Sequence, residues 1–296
     1  MDHPRLSSPQ CESQSDASSG IGYPAYFLEG FPEGTEIRQF TNILSVRKRS
    51  HDRHIALLQD KTQNPFLIFT DVPDSEFLKI CEKTPRTSRT TRILYSWKTH
   101  TLILKIMPYI AHETAKEELK LCIGIQITTM GLGGELYPIG QTTIRFGDFT
   151  KEPDGGWARL SQNPNPSFVL EIGLSESSGR LVLDARGWLE STGSTVQIAV
   201  TIMVNRKKPE IVVQRWEIVP RVYSVRTRAS HPPASCTQEV RSHYLNQTIL
   251  VTGGLVIPFN KVVGRPANQP LEQDFVITRQ DLEDLSRKVW TVQKFL

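Results

Sequence analysis

Phe168-Val169-Leu170-Glu171-Ile172-Gly173 decides how this chain is read, fenced by Asn163-Pro164-Asn165-Pro166-Ser167 before it and Leu174-Ser175-Glu176-Ser177-Ser178-Gly179 after it. Four of its six residues are large and apolar, and both flanks are rich in turn formers, which is the pattern of a buried strand. A carboxylate in the middle of such a strand is costly unless it is protonated, paired with a cation or bound to a metal. Upstream, the stretch from Glu135 to Asp148 reads as a strand and a turn leading towards Pro153-Asp154-Gly155. That order lays Asp154 and Glu171 on neighbouring strands, and two acids converging in this way suggest a site for a hard cation. Strand periodicity leaves a second reading open. Phe168, Leu170 and Ile172 share one face and Val169, Glu171 and Gly173 the other, so Glu171 equally suits a water-facing position beside a small residue.

The chain after this strand reads as a helix from about Ser177 to Glu190. Leu181, Ala185, Trp188 and Leu189 make one apolar stripe that packs on a sheet, which assigns Trp188 to the core. Ser177 or Ser178 supplies an N-cap, and Ser191-Thr192-Gly193 ends the helix on a glycine. Arg180 and Asp184 have the i,i+4 spacing of an ion pair on a helix surface. Asp184 is either that solvent-facing partner or an acid near the cation. Gln197, in Val196-Gln197-Ile198-Ala199-Val200, either faces the same site from the next strand or is exposed.

A helix beginning near His112-Glu113, the Gly140-Gln141-Thr142-Thr143-Ile144 strand, Lys151-Glu152-Pro153-Asp154, the run from Val169 to Ser177, and Asp184-Ala185-Arg186-Gly187-Trp188-Leu189 follow one another in an informative order. Together they resemble the restriction-endonuclease-like PD-(D/E)XK superfamily, and within it a branch with many uncharacterised fungal members. The resemblance runs from about Gly22 to the C-terminus and is most specific between Asp154 and Leu189. It implies an α/β (α+β) architecture, a mixed central sheet flanked by helices, with acids on adjacent strands holding Mg²⁺ for phosphodiester hydrolysis. Asp154 then matches the Asp of the motif, Glu171 its (D/E), and Glu113 the helix-borne metal-ligating acid that some members add. The motif lysine falls on Gly173, which neither orients an attacking water nor steadies charge in a transition state. Among substitutes, Lys207 lies in an Asn-Arg-Lys-Lys-Pro turn. Arg186 is nearer in sequence but stays protonated and cannot act as a base.

Two functional classes follow from the resemblance. One is a divergent nuclease-like enzyme hydrolysing nucleic acid with Mg²⁺ at a degenerate site. The other is a non-catalytic binding or accessory protein on the same fold, for example in a fungal specialised metabolic pathway.

A chain of 296 residues with 38% hydrophobic residues has enough apolar material for one large domain. Residues 1–20, rich in Ser, Pro, Gln and Asp, read as a disordered leader. Residues 21–296 read as a single domain with an N-terminal extension to about residue 92. With neither a signal-peptide hydrophobic region nor an apolar run of membrane-spanning length, the expected location is intracellular, cytoplasmic or nuclear. Cys11, Cys81, Cys122 and Cys236 contain no CxxC pair, and the seven histidines form no HExxH, so neither structural nor catalytic zinc is expected and the thiols should be reduced and mostly buried. No serine sits in a GxSxG elbow. His112 reads as a capping or surface residue ahead of a helix from Ala115 to Thr129.

The net charge of +4 is modest, and positive charge gathers locally in Val46-Arg47-Lys48-Arg49 and in a polar loop from Arg86 to Arg92. With nucleic acid as partner these segments would contact phosphates, giving salt-dependent affinity with little sequence information. Elsewhere, Asp74 to Glu82 reads as a helix with Asp74 as N-cap, and Ile93 to Trp97 with Thr101 to Ile106 as a hairpin. Ile198 to Val204 with Glu210 to Val219 reads as a second hairpin. Pro220 to Ser242 reads as a mobile loop, and Gly131-Leu132-Gly133-Gly134 as a helix-ending turn. Thr278 with Asp281 approximates a capping box for a last helix with Leu282, Leu285, Val289 and Trp290 on its apolar face.

Overall fold

The computed structural model describes residues 26–83, 90–140, 142–162, 165–174, 178–219 and 233–296. The leader, Arg86 and the Ser177 cap position lie outside these residues.

The first strands and helices are β1 (Glu36–Gln39), α1 (Ile43–Leu58), β2 (Phe66–Thr70), α2 (Asp74–Lys83), β3 (Thr91–Ser96) and β4 (Thr101–Ile106). The hairpin of β3 and β4 turns where expected, with Ser96 opposite Thr101 and His100 at φ 51° in the left-handed region. α2 begins on Asp74 itself, whose carboxylate accepts a hydrogen bond from the Tyr95 hydroxyl at 2.7 Å. Arg92, read as part of a basic loop, is instead the second residue of β3 and is buried, because β3 runs through the interior from its start.

After α3 (Ile110–Thr129) the chain forms β5 (Leu136–Ile139), β6 (Ile144–Phe146), β7 (Phe149–Lys151), β8 (Gly155–Arg159) and β9 (Pro166–Leu174). Gly131, at φ 74°, ends α3 in the left-handed conformation that a residue with a side chain rarely adopts. There follow α4 (Ser178–Glu190), β10 (Ile198–Val204), β11 (Glu210–Ile218), β12 (Ala234–Leu245) and β13 (Thr248–Val251). The stretch read as a loop up to Ser242 is therefore largely strand from Ala234 onward. Only Ala234, Val240 and Ser242 of β12 are buried, and its place next to β11 supplies the order that its polar composition hides. The chain closes with β14 (Leu255–Ile257), α5 (Phe259–Val263), β15 (Phe275–Ile277) and α6 (Arg279–Gln293). α6 starts on the expected capping box: the Thr278 hydroxyl accepts from Asp281 N at 3.1 Å and the Asp281 carboxylate accepts from Thr278 N at 2.8 Å.

These strands build two large mixed sheets and a small third one of β14 and β15. The six-stranded sheet has the order β1-β2-β4-β3-β7-β6, and the seven-stranded sheet β13-β12-β11-β10-β9-β8-β5. β9 and β10 are parallel, joined across the sheet by α4, and β8 pairs antiparallel with β9. This mixed sheet flanked by helices is the architecture expected from the sequence. All nine residues of β9 are buried because both of its faces are covered. Phe168, Leu170 and Ile172 face α3 and share one core cluster with Ala115, Leu119 and Ile123 of that helix and with Leu282, Leu285 and Val289 of α6, which packs on α3. On the opposite face Val169 packs with Ala185, Trp188 and Leu189 of α4. Between Lys151 and Gly155 the chain leaves the six-stranded sheet and enters the seven-stranded one, which puts Lys151 and Asp154 at the junction of the two.

Candidate functional site

Asp154 precedes the first residue of β8, and with Gly155 paired to Leu170 it stands level with Glu171 of the adjacent strand. Asp154, Glu171 and Asp184 are each only 1% exposed. The water-facing reading of Glu171 fails because the face it shares with Gly173 is roofed by α4. Trp188 of that helix donates its indole N–H to Glu171 Oε1 at 2.6 Å.

Each acid meets protein cations. Asp154 Oδ1 lies 3.2 Å from Arg92 Nε, and Oδ2 accepts from Ile172 N at 2.9 Å and Lys105 Nζ at 3.5 Å, with His112 Nε2 at 3.4 Å. Glu171 Oε1 lies 3.0 Å from Lys151 Nζ, and Oε2 lies 4.0 Å from Lys105 Nζ. Lys151 also donates to Asp184 at 3.1 Å, and Arg180 donates to the same Asp184 oxygen at 3.0 Å. The Arg180–Asp184 pair is thus present, but it is buried instead of lying on a helix surface. Arg180 is held there by the carbonyl of Glu29 at 2.5 Å and by the Phe31 ring, 4.4 Å from its guanidinium.

Glu113 stands in the first turn of α3 with a partly exposed side chain, bound to Lys116 and to His112 Nδ1 at 3.1 Å, and 4.0 Å from Arg92. It reaches Asp154 only through these neighbours. His112 is fully buried and not a surface residue, because α3 begins at Ile110 and turns this ring into the interior between two carboxylates. Gln197 is exposed, just ahead of β10. Arg186 pairs with Glu190 at 2.9 Å, and Lys207 is exposed in its turn.

The charge environment fixes the protonation pattern. For Asp154 the cost of burial is outweighed by Lys105, His112 and Arg92, which hold its carboxyl well below the ordinary value. Burial likewise opposes ionisation of Asp184, but Arg180 and Lys151 pull it down. In Glu171 burial dominates, and the negative neighbours Asp184 and Asp154 add to it, so its value rises despite Lys151 and Lys105. Burial works against the charge on His112, yet Asp154 and Glu113 overcome it and raise its value.

A divalent metal needs free carboxylate oxygens pointing at one position. Here each oxygen of Asp154 and Glu171 is already within 4.0 Å of a lysine, arginine or histidine nitrogen. No cluster of three or more His, Cys, Asp or Glu side chains suited to a metal occurs among the described residues. The donor set present does not fit Mg²⁺.

The sequence reading assigned none of Lys105, Lys151 and Arg92 to this site, although Lys105 carries the same signal that exposed Glu171. It is one charge inside an apolar strand, Leu102-Ile103-Leu104-Lys105-Ile106. Lys151 has no local pattern to mark it. Of the cysteines, Cys81 and Cys122 are half-buried and Cys236 is exposed, so burial of the thiols is only partial; all three are unpaired. No helix among the described residues is long and apolar enough to cross a membrane.

No protein-family model and no curated protein matches the chain. A solved structure from Anabaena variabilis ATCC 29413, described as a candidate nuclease belonging to DUF820, is similar over 72% of this chain and 97% of its own, at 14% identity and a TM-score of 0.40. At that distance it transfers no residue role.

Proposed function

We propose that this chain is a nuclease-like protein whose motif acids have become structural, and that it acts by binding, as a non-cleaving or accessory protein, instead of as a Mg²⁺-dependent phosphodiesterase. The observation that carries this reading is the saturation of Asp154 and Glu171 by Arg92, Lys105, Lys151 and His112 in a buried setting. The order of motif residues and their placement on adjacent strands support the lineage. The loss of free ligand oxygens and the glycine at 173 speak against turnover. Removing one electrostatic stabiliser of a transition state commonly costs about 10²–10³ in rate, and here the ligands for the metal are engaged as well. Nucleic acid is the partner class that suits the exposed Arg47 and Lys48 of α1 and the exposed Arg145 of β6.

The test is a time course on single- and double-stranded DNA and RNA with Mg²⁺ or Mn²⁺, comparing the wild type with Glu171→Gln, and a salt titration of binding on the same substrates. The expected result is no cleavage above background from either protein, with binding that weakens steeply as salt rises. Turnover by the wild type that a folded Glu171→Gln protein lacks would overturn the reading.

A further inference from the structure

The Lys105 ammonium occupies an unusual seat. Its Nζ lies 2.8 Å from the carbonyl oxygen of Ile172, 3.5 Å from Asp154 Oδ2 and 4.0 Å from Glu171 Oε2. Two carboxylates and one backbone carbonyl therefore converge on one point, and carboxylate and carbonyl oxygens are the ligands that hard divalent ions take. The oxygens all belong to the β8–β9 end of the seven-stranded sheet. The ammonium does not, because it is carried by β4 of the six-stranded sheet. Arg92, directly opposite Lys105 across β3 and β4, comes from that same sheet, as does Lys151 at the end of β7. Two cations facing each other across a strand pair repel. Their placement is accounted for by Asp154, which contacts both.

We propose that Lys105 is a built-in cation: the six-stranded sheet delivers its ammonium into a divalent-ion seat formed by Asp154, Glu171 and the Ile172 carbonyl, so that the fold is completed without metal. This rests on the closed-site reading above. The tethered ammonium is always at hand, whereas a free ion would have to expel it from a buried position while Lys151 stands 3.0 Å from Glu171 and repels the newcomer. Removing the ammonium and opening its volume leaves the oxygens facing one another. They then need to close by roughly 1–2 Å to reach Mg–O lengths of about 2.1 Å.

Lys105→Ala should therefore gain a metal site that the wild type lacks. The measurement is thermal unfolding of the full chain in EDTA and in a Mg²⁺ or Mn²⁺ series, for wild type, Lys105→Ala, Lys105→Met, which removes the charge but keeps the bulk, and Lys105→Ala/Glu171→Gln. Saturating metal should raise the melting temperature of Lys105→Ala by about 5 °C, as expected for a ligand near 100 times its dissociation constant. The wild type, Lys105→Met and the double variant should shift by less than roughly 1 °C, within what weak non-specific binding gives. If Lys105→Ala does not fold in EDTA, its recovery on refolding with Mn²⁺ replaces the melting shift. A folded Lys105→Ala without a metal response, a response equal in Lys105→Met, or recovery that is the same with and without Mn²⁺ overturns the proposal. A metal shift already present in the wild type and lost in Glu171→Gln would instead overturn the closed-site reading.

Discussion

His112 shows how one side chain changes meaning when its surroundings are known. Its ring nitrogens face Asp154 and Glu113, with Lys105 the nearby like charge, and the carboxylates raise its proton affinity despite full burial. A raised value means that the folded state favours the imidazolium. The stabilisation is complete below the ordinary value of 6.5 and is lost as pH rises from there through the raised folded value. Asp154 remains ionised throughout that window because Lys105, His112 and Arg92 hold its carboxyl low against the cost of burial. Urea unfolding between about pH 6 and 9 should show stability falling by up to about 1.4 kcal/mol per pH unit in the wild type. A His112→Gln protein should lack that decline; an unchanged slope would assign it to another group.

At the scale of elements, β9 and α4 explain why position 173 is closed to a longer side chain. A Cβ on Gly173 would lie 2.7 Å from Leu181 Cδ1 and 3.0 Å from Leu181 Cγ, so the helix side chain has to move before any longer residue fits. The same close packing lets Trp188 reach Glu171, and a third ammonium there would join Lys105 and Lys151. Gly173→Lys is expected to destabilise by about 1–3 kcal/mol through overpacking, and to bring no cleavage activity. Pairing it with Leu181→Ala should recover part of the loss, read by urea midpoint at constant slope. A Gly173→Lys protein as stable as the wild type would show that α4 yields easily.

For the whole molecule, the charges are divided between the sheets: Arg92, Lys105 and Lys151 on one, Asp154 and Glu171 on the other, with Asp184 and Arg180 on the helix that covers the second. Separating the sheets would strand buried ions of both signs, and breaking a buried pair by removing one partner commonly costs about 3–5 kcal/mol. Unfolding should consequently be a single transition, with near- and far-ultraviolet circular dichroism coinciding along a urea titration. Two resolved steps, with the six-stranded sheet lost first, would show that the charge contacts do not couple the halves.

Much of the fold was legible locally. The apolar run of β9, the stripe on α4, the hairpin turns and the Thr278 capping box are short-range patterns, set by residues a few positions apart. The sequence also placed Asp154 beside Glu171, because strand, turn and strand are contiguous in the chain. It could not decide what Glu171 faces, since period two separates two faces without saying what covers either. β12 went unread for a related reason: a strand with few buried positions has no apolar run to announce it. The cations belong to tertiary structure altogether. Lys105 meets Ile172 and Asp154 across separations of 67 and 49 residues, and such pairing leaves no period in the sequence, only an isolated charge inside an apolar strand. Local sequence thus determined that an acid sits inside an apolar run and needs a partner if that run is covered on both faces, whereas the packing of one sheet against the other decided that it is covered and that the partner is an ammonium of the protein itself.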